Sequence, residues 1–351
     1  MGASAGVIGL MISVYGGARL MVNMPAGFLS EKLGRKPMMS MGCAILAAAS
    51  LSVFFVHSIT GFFICLLFMG MASASFMTSA LAAVVDLGTP GRRIQDASCY
   101  QASNMIGAAM GPAIGGIAAG LWGYSSPYLI NGLIALCGIV AFAVMPWPAA
   151  GEKREASPPK KGALKEFARQ GFSIGLMYFT IFYVRVASNW VLLPLIAQEK
   201  FGLEMTTIGM ILTGGALANL SVITITARLA RLVGRVWVIV IASCLTLTSC
   251  AMLAFAPGAW MLWLCSILFG ATSGLAAPTI IAYVADIAPE NQRGPAVGLL
   301  RTMQDLSLIL GPLFTGILSD NLGWGYQGGL FGCLVLLSIA TIVFRFSATS
   351  K

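Results

Sequence analysis

Residues 236–255 read VWVIVIASCLTLTSCAMLAF, a run of 20 residues that contains no charged side chain. About 20 apolar residues in a helix are enough to cross the hydrocarbon core of a bilayer. Runs of this kind follow one another along the chain, whereas the strands of a membrane barrel are about ten residues long and alternate in polarity. We therefore predict eleven membrane-spanning helices, over residues 5–29, 37–57, 60–85, 97–120, 125–147, 171–196, 205–227, 236–255, 259–285, 295–318 and 325–346.

The composition excludes an ordinary soluble protein. Of the 351 residues, 58% are hydrophobic and 9% are charged, whereas a soluble domain carries about 25% charged residues. The eight cysteines lie within apolar runs, and the single histidine, His57, lies at a loop edge. The sequence therefore offers no metal site, no cofactor site and no clustered nucleophile and base. We expect an all-α polytopic membrane protein that is not an enzyme.

Lysine and arginine are distributed unequally between the two sets of loops. Most of the 21 lie in one set of loops and in the C-terminal tail, while the alternate loops contain Lys200 alone. Because cytoplasmic loops carry the excess of positive charge, we expect the C-terminus in the cytoplasm and the chain in the inner membrane. The same placement explains the net charge of +9 without a nucleic-acid partner.

The sequence repeats itself with an offset of 200 residues. The matched positions include charges and prolines as well as glycines: Gly34-Arg35 and Gly234-Arg235, Asp86 and Asp286, Arg93 and Arg293, Gly111-Pro112 and Gly311-Pro312. Because matched loops fall on the same side of the membrane, the repeat is parallel, with its axis along the membrane normal. It predicts two helical bundles, 1–147 and 171–351, joined by a proline- and lysine-rich cytoplasmic linker at 148–170.

In this register the second half has one helix more than the first. The extra helix is the one predicted at 171–196, and its counterpart would precede Met1. We therefore expect a plan of six plus six helices, of which the sequence shows five plus six. A start codon placed too late, a truncated sequence and true loss of the helix are the open explanations, and the DNA upstream of Met1 distinguishes them.

Two segments resemble motifs of the major facilitator superfamily, and within it of the twelve-span drug:proton antiporters. Residues 27–36, GFLSEKLGRK, are similar to the loop motif GxxxDRxGRR, and residues 107–116, GAAMGPAIGG, are similar to the antiporter motif gxxxGPxxGG. The resemblance extends over the whole chain. It implies two bundles that work by alternating access and export a small organic molecule in exchange for protons.

One departure from the family pattern bears on this expectation. Leu66 and Met69 stand where the family's fourth helix commonly shows the arginine and glutamine of RxxQG, and that arginine is assigned to proton handling. Proton coupling is then carried elsewhere or absent. Uptake of an organic anion and a protein that does not transport are the alternatives.

The loop motif provides charges at the cytoplasmic ends of helices. We expect Glu31 to pair with Arg92, with Arg93 or with a helix N-terminus, and Asp86 and Asp286 to form salt bridges. The resemblance implies that such pairs lock one of two conformations. The set assigned to this gating loop is Gly27, Glu31, Lys32, Gly34, Arg35, Lys36, Asp86, Arg92, Arg93, Asp286 and Arg293. A cluster that only fixes the orientation in the membrane is the alternative interpretation.

The second motif places glycines on one face of a helix. Gly107, Gly111 and Gly115 recur every four residues, a spacing that lets a neighbouring helix approach closely. Pro112 removes a backbone hydrogen bond and bends the helix, and Gly116 ends the motif. An antiporter needs such tight packing as a seal against proton leak.

Four charged residues lie inside the predicted helices, Arg19, Arg185, Arg301 and Asp305, where each costs about 2.5–3.5 kcal/mol on insertion scales. The repeat gives Arg19 and Arg301 polar counterparts, and the predicted substrate and proton pathway comprises Arg19, Gln101, Asn104, Arg185, Asn189, Asn219, Arg301, Gln304 and Asp305. Asp305 is the expected proton-titrating group. A structural salt bridge between Asp305 and Arg301, four residues apart, is the alternative.

The balance of these charges also suggests the partners. Arginine exceeds acid inside the predicted helices, which favours a small-molecule substrate that is anionic or zwitterionic. Protons are the expected coupling ion, the bilayer is the surrounding medium, and the chain is expected to act as a monomer.

Overall fold

The computed structural model of the protein describes residues 5–87, 93–145, 147, 163–287, 293–321 and 325–349, and most of them are helical. Five long helices form the first half: α1 (Ala5–Leu33), α2 (Arg35–Ser52), α3 (Ile59–Leu87), α4 (Arg93–Trp122) and α5 (Ser126–Val144). The second half contains α6 (Ala163–Arg185), a π-helical segment (Val186–Leu192), α7 (Leu193–Glu199), α8 (Met205–Val233), α9 (Arg235–Ala254), α10 (Ala259–Ile287), α11 (Arg293–Asn321) and α12 (Tyr326–Thr349).

These helices confirm the expected all-α polytopic membrane protein. Within the described residues, ten helices are long and apolar enough to cross a membrane, and they coincide with ten of the eleven predicted segments. One of them, Phe172–Glu199, runs continuously through the end of α6, the π-helical segment and α7. The eleventh predicted segment is α11, whose 29 residues are long enough to cross. Its polar side chains, Arg301, Gln304 and Asp305 among them, lower its mean hydropathy below that of the others.

Single glycines connect matched pairs of helices in the two halves. Gly34 lies between α1 and α2 with φ +97°, and Gly234 lies between α8 and α9 with φ +88°. A side chain strains the backbone in this left-handed region. The same residue therefore makes the same sharp turn at both matched positions.

The helices group into two compact units. One contains residues 14–156, and the other contains residues 157–351 together with the chain up to Ser13. The predicted linker, 148–170, lies outside the described residues as far as 162, and α6 begins at Ala163. The domain boundaries inferred from the sequence stay a prediction.

The second unit is built around α6 and its continuation. In the span Phe172–Glu199, 78% of the most apolar stretch of 18 residues is buried. The corresponding stretches of Cys99–Trp122 and Ser126–Val144 are each 11% buried. Met177 and Val184 of α6 belong to one large buried cluster with residues of α8 to α12. In the first unit, the described buried residues form smaller clusters.

The start of α1 packs on α11 within the second unit. The Gly6 backbone N–H donates to Asp320 Oδ2 at 2.9 Å, and the Ser13 hydroxyl donates to the Ile309 carbonyl at 2.6 Å. A Cβ at Gly9 would collide with the Pro312 carbonyl. Glycine at position 9 therefore allows α1 to lie directly against the proline-containing part of α11.

A glycine contact between α8 and α10 supports the first stability prediction. A Cβ at Gly270 would collide with the Gly215 carbonyl, a backbone atom that cannot move aside. We expect Gly270→Ala to lower the free energy of unfolding by about 1–3 kcal/mol through overpacking. The measurement is thermal unfolding of the purified protein in detergent.

Gly298→Ala on α11 is the matched control, because a Cβ there meets no described atom within 4 Å. Replacing a helical glycine by alanine in open space stabilises by up to about 1 kcal/mol. An equal effect of the two substitutions would contradict the close contact between α8 and α10.

Candidate functional site

Polar side chains of α6 and α11 meet inside the second unit. The Tyr178 hydroxyl donates to Gln304 Oε1 at 3.4 Å. Arg185, Arg301 and Asp305 lie close enough to that hydroxyl to act on it electrostatically. The structure thus gathers four predicted pathway residues around Tyr178, and we call these five residues the polar cluster. The predicted Arg301–Asp305 salt bridge stays a prediction.

Tyr178 was not among the predicted site residues, although its spacing from Arg185 could have indicated it. It precedes Arg185 by seven residues, a spacing of two helical turns that puts both side chains on one helix face. The pathway was predicted from charged residues inside the helices, and a tyrosine in an apolar run is more often a residue of the core. Tyr178 is indeed buried, with 3% of its surface exposed.

Arg185 lies close to two aromatic rings. Its guanidinium carbon is 6.0 Å from the Phe182 ring centroid and 5.9 Å from the Trp190 ring centroid, within the range of cation–π attraction. Its Nε atom is buried and has no hydrogen-bond partner among the described residues. The same holds for Oδ1 of Asn189, a residue with 7% of its surface exposed.

The π-helical segment ends two residues before a proline. Pro194 is the second residue of α7 and lacks a backbone N–H. The Leu193 N–H donates to the Ser188 carbonyl five residues earlier. π-Helical turns are rare and often found at functional sites. Here the wider winding lets Trp190, five residues after Arg185, reach its guanidinium.

The first unit contains its own buried arginine. Arg19 on α1 is half-buried, and its guanidinium carbon lies 6.0 Å from the Tyr15 ring centroid. One turn further along α1, Asn23 Oδ1 accepts a hydrogen bond of 3.4 Å from the Thr78 hydroxyl of α3. These contacts place polar groups along the face where α1 meets α3.

The other pathway candidates lie on α4 and α8. Gln101 is exposed and Asn104 is half-buried on α4, and Asn219 is half-buried on α8. That they share one pathway with the polar cluster stays a prediction.

Each unit contains an arginine–aspartate pair at helix ends. Arg35 Nε lies 2.9 Å from Asp86 Oδ2, joining the start of α2 to the end of α3. Arg235 and Asp286 make the same ion pair between α9 and α10. A further bond runs from Arg235 to the Ala282 carbonyl at 2.8 Å. We call these two ion pairs the charge lock.

The remaining residues of the gating loop lie around the first of these pairs. Gly27, Glu31 and Lys32 belong to the last two turns of α1, and Glu31 is exposed. Lys36 Nζ donates to the Met145 carbonyl at 3.0 Å, near the end of α5. The expected pairing of Glu31 with Arg92 or Arg93 lies outside the described residues, as do Arg92 and the side chains of Arg93 and Arg293.

The glycines of the antiporter motif differ from their counterpart in the second half. A Cβ at Gly107 or Gly111 meets no described atom within 4 Å, although close helix packing was expected there. At the matched Gly311, a Cβ would lie 3.0 Å from the Tyr183 carbonyl of α6. Gly115 faces Pro127 of α5 at 3.8 Å. Pro112 lies inside α4, in the continuous helix Arg93–Trp122.

The same contrast extends along α5. Val140 and Val144 are 62% and 79% exposed, whereas the matched Ala340 and Phe344 on α12 are 1% exposed each. In the second unit α6 packs on both α11 and α12, and Ala340 and Phe344 belong to the same buried cluster as residues of α6. The uncovered surface of the first unit, which we call the α4–α5 groove, is formed by Gly107, Gly111, Leu133, Cys137, Val140 and Val144.

Polar groups gathered inside membrane-spanning helices are typical of transport proteins. The family comparison agrees. A model described as Major Facilitator Superfamily matches residues 1–188 and again residues 174–351, and the chain therefore belongs to this superfamily. It is a secondary transporter in a lipid bilayer that takes a small-molecule substrate, and the expectation that it is not an enzyme is confirmed.

Individual relatives are distant but cover most of the chain. The protein is 23% identical over 319 residues to Multidrug resistance protein 1 of Bacillus subtilis, which covers 90% of this chain and 82% of that protein. It is 25% identical over 360 residues to Tetracycline resistance protein, class G, of Vibrio anguillarum, with coverages of 99% and 89%. Among solved structures, a bacterial homologue of the human lysosomal transporter Spinster, inward-facing and occupied, superposes with a TM-score of 0.83 at 14% identity, covering 99% and 90%.

The charge lock yields a prediction about pairing. Asp86→Arg or Arg35→Asp alone sets like charges side by side, so we expect either to reduce transport, and the double exchange to restore most of it. The Asp86 side chain is 51% exposed, and exposed ion pairs contribute at most about 1 kcal/mol. The melting temperature should therefore change little while transport in proteoliposomes changes clearly.

Arg231→Asp serves as the control for this experiment, because Arg231 is exposed in the last turn of α8 and belongs to neither pair. It should leave transport near the unsubstituted level. A double exchange that transports no better than the single variants would contradict the role given to the Arg35–Asp86 pair.

Proposed function

We propose that the protein exports a small organic compound in exchange for protons. The polar cluster carries the proposal, because it places the carboxylic acid of Asp305 among Tyr178, Gln304 and two arginines inside membrane-spanning helices. Such residues mark substrate and proton pathways, since a charge inside the bilayer is otherwise costly. The names of two relatives, a multidrug resistance protein and a tetracycline resistance protein, support export.

Proton handling is assigned to the second unit. Met69, at the place of the family's glutamine, is 4% exposed, and Leu66, at the place of its arginine, packs against the same apolar cluster. Neither side chain exchanges a proton. Asp305 and the arginines of α6 and α11 are then the groups that couple substrate movement to proton movement.

The charge lock fits a transporter that alternates between two conformations. Each of its pairs joins two helix ends within one unit, at matched positions of the repeat. We propose that both lie at the cytoplasmic surface, with the C-terminus on the same side, in the inner membrane. One chain forms the complete pathway in this proposal, so the transporter works as a monomer.

A further membrane-spanning helix is proposed to cover the α4–α5 groove. The positions that α6 buries in the second unit are exposed at their matched sites in the first. Gly107 and Gly111 give that helix a surface for close approach, as Gly311 does for α6. This matches the plan of six plus six helices expected from the repeat.

Asp305 provides the direct test of proton coupling. In inside-out vesicles with an acidic interior, we expect Asp305→Asn to abolish uphill uptake of a transported anionic dye such as fluorescein. Exchange of labelled for unlabelled dye needs no net proton movement and should persist. Glu199→Gln, an exposed acid at the end of α7, is the control. Unchanged pH-driven uptake by Asp305→Asn would remove Asp305 from the mechanism, and accumulation only with the opposite gradient would favour uptake into the cell.

The covering helix is tested by the reactivity of natural cysteines. Cys137 in the groove and Cys244 on α9 are both exposed in the structure. In native membranes, a variant that keeps only Cys137 should react at least several-fold more slowly with a lipid-soluble maleimide than a variant that keeps only Cys244. Equal rates would show that nothing covers the groove.

A further inference from the structure

We infer that Arg185, Asn189 and Trp190 recognise an aromatic carboxylate that also carries an N–H or O–H donor. The inference deepens the proposed function, because it rests on the chain moving a small organic molecule and adds which chemical class that molecule belongs to. It concerns three side chains of one helical segment, and such recognition of a ligand is the same for either transport direction and for any coupling ion.

Arg185 carries a positive charge inside a membrane-spanning helix, near the middle of the span Phe172–Glu199. The Tyr178 hydroxyl acts on it electrostatically. A guanidinium has five N–H donors, and Nε is buried with no partner among the described residues. An anionic ligand supplies the missing acceptors.

The shape of the guanidinium selects the anion. Arginine binds a carboxylate through two parallel N–H···O bonds, because both groups are planar. The rings of Phe182 and Trp190 lie near the guanidinium, with centroids at 6.0 and 5.9 Å from its central carbon. Two parallel N–H donors satisfy both oxygens of a carboxylate, whereas a tetrahedral phosphate has further oxygens that need donors from elsewhere.

Asn189 adds the requirement that the ligand also carry a hydrogen-bond donor. Its Oδ1 atom is an acceptor, and it has no hydrogen-bond partner in the described residues although the residue is 7% exposed. A buried acceptor without a donor is destabilising, and an anion beside it would add repulsion. The ligand therefore presents a hydrogen-bond donor near its carboxylate, which sulfate and simple fatty acids lack.

Trp190 adds the aromatic requirement. It is 48% exposed, whereas its neighbours Val191 and Leu192 are buried. The π-helical winding brings it alongside Arg185, so one region of the ring contacts the guanidinium and the rest is free to stack on a ligand ring. Offset or edge-on ring pairs are favourable beyond the burial of their apolar surface.

Four probes of similar size separate these requirements. Indole-3-acetate has the ring, the carboxylate and an N–H donor. Indole-3-acetamide replaces the carboxylate by a neutral amide, tryptamine replaces it by a cation, and 1-naphthylacetate lacks the N–H. Binding of each is measured at equilibrium on the purified protein in lipid nanodiscs, with no gradient applied.

The protein should bind indole-3-acetate at least about tenfold more tightly than the acetamide or tryptamine, since hydrogen bonds to charged groups are the stronger ones. Arg185→Met should remove that preference, and Arg185→Lys should restore only part of it, because lysine lacks the planar fork. Asn189→Ala should remove the preference for indole-3-acetate over 1-naphthylacetate and leave the carboxylate preference intact. Arg345→Met, which removes the arginine lying over Trp237 at 4.9 Å, should change nothing.

Equal affinity of the unsubstituted protein for the acid and the amide would overturn the inference, and this comparison requires no variant to fold. So would a carboxylate preference that survives Arg185→Met in a protein with an unchanged melting temperature. Because binding is measured without a gradient, failure of pH-driven export would leave these results standing, and their failure would leave export standing.

Discussion

The free energy of placing charge inside a bilayer governs the arrangement of this protein. A charged side chain at mid-membrane costs several kcal/mol unless it finds partners, water or a ligand. The chain meets this constraint in two ways. At helix ends, Arg35 and Arg235 pair with Asp86 and Asp286. Within the helices, the charges of α6 and α11 lie close enough to Tyr178 to act on its hydroxyl electrostatically.

The repeat separates the features that both units share from those that differ between them. Both units use a glycine with positive φ between two helices and an arginine–aspartate pair next to it. The buried segment that runs through α6, the π-helical turn and α7 occurs among the described residues of the second unit, and the positions that α6 covers there are exposed in the first. We propose that function concentrates on that segment, where Phe182, Arg185, Asn189 and Trp190 lie within nine residues of one another.

Much of the fold follows from sequence because membrane insertion depends on local composition. Apolar runs of about 20 residues identified the helices, and the positions of glycines, charges and prolines revealed the repeat. The predicted span α11 is not among the ten apolar helices, and it contains Arg301, Gln304 and Asp305 of the polar cluster. Tyr178 was missed because its role arises from a neighbour on another helix. The partner of Asp86 was left open because Arg35 is 51 residues away in sequence. The π-helical turn depends on the geometry of backbone hydrogen bonds, and the spacing of apolar residues in the sequence does not reveal that geometry.

The account requires that the polar face of α11 line a water-filled pathway and not contact lipid. Two single-cysteine variants on this helix measure it, Gln304→Cys in the polar cluster and Phe314→Cys at a position that is 49% exposed. Both are treated in native membranes with a charged, water-soluble thiol reagent. The cysteine at position 304 should react readily and be protected by a bound substrate, while the cysteine at position 314 should stay unreactive in lipid. Rapid labelling at 314 with none at 304 would contradict the account.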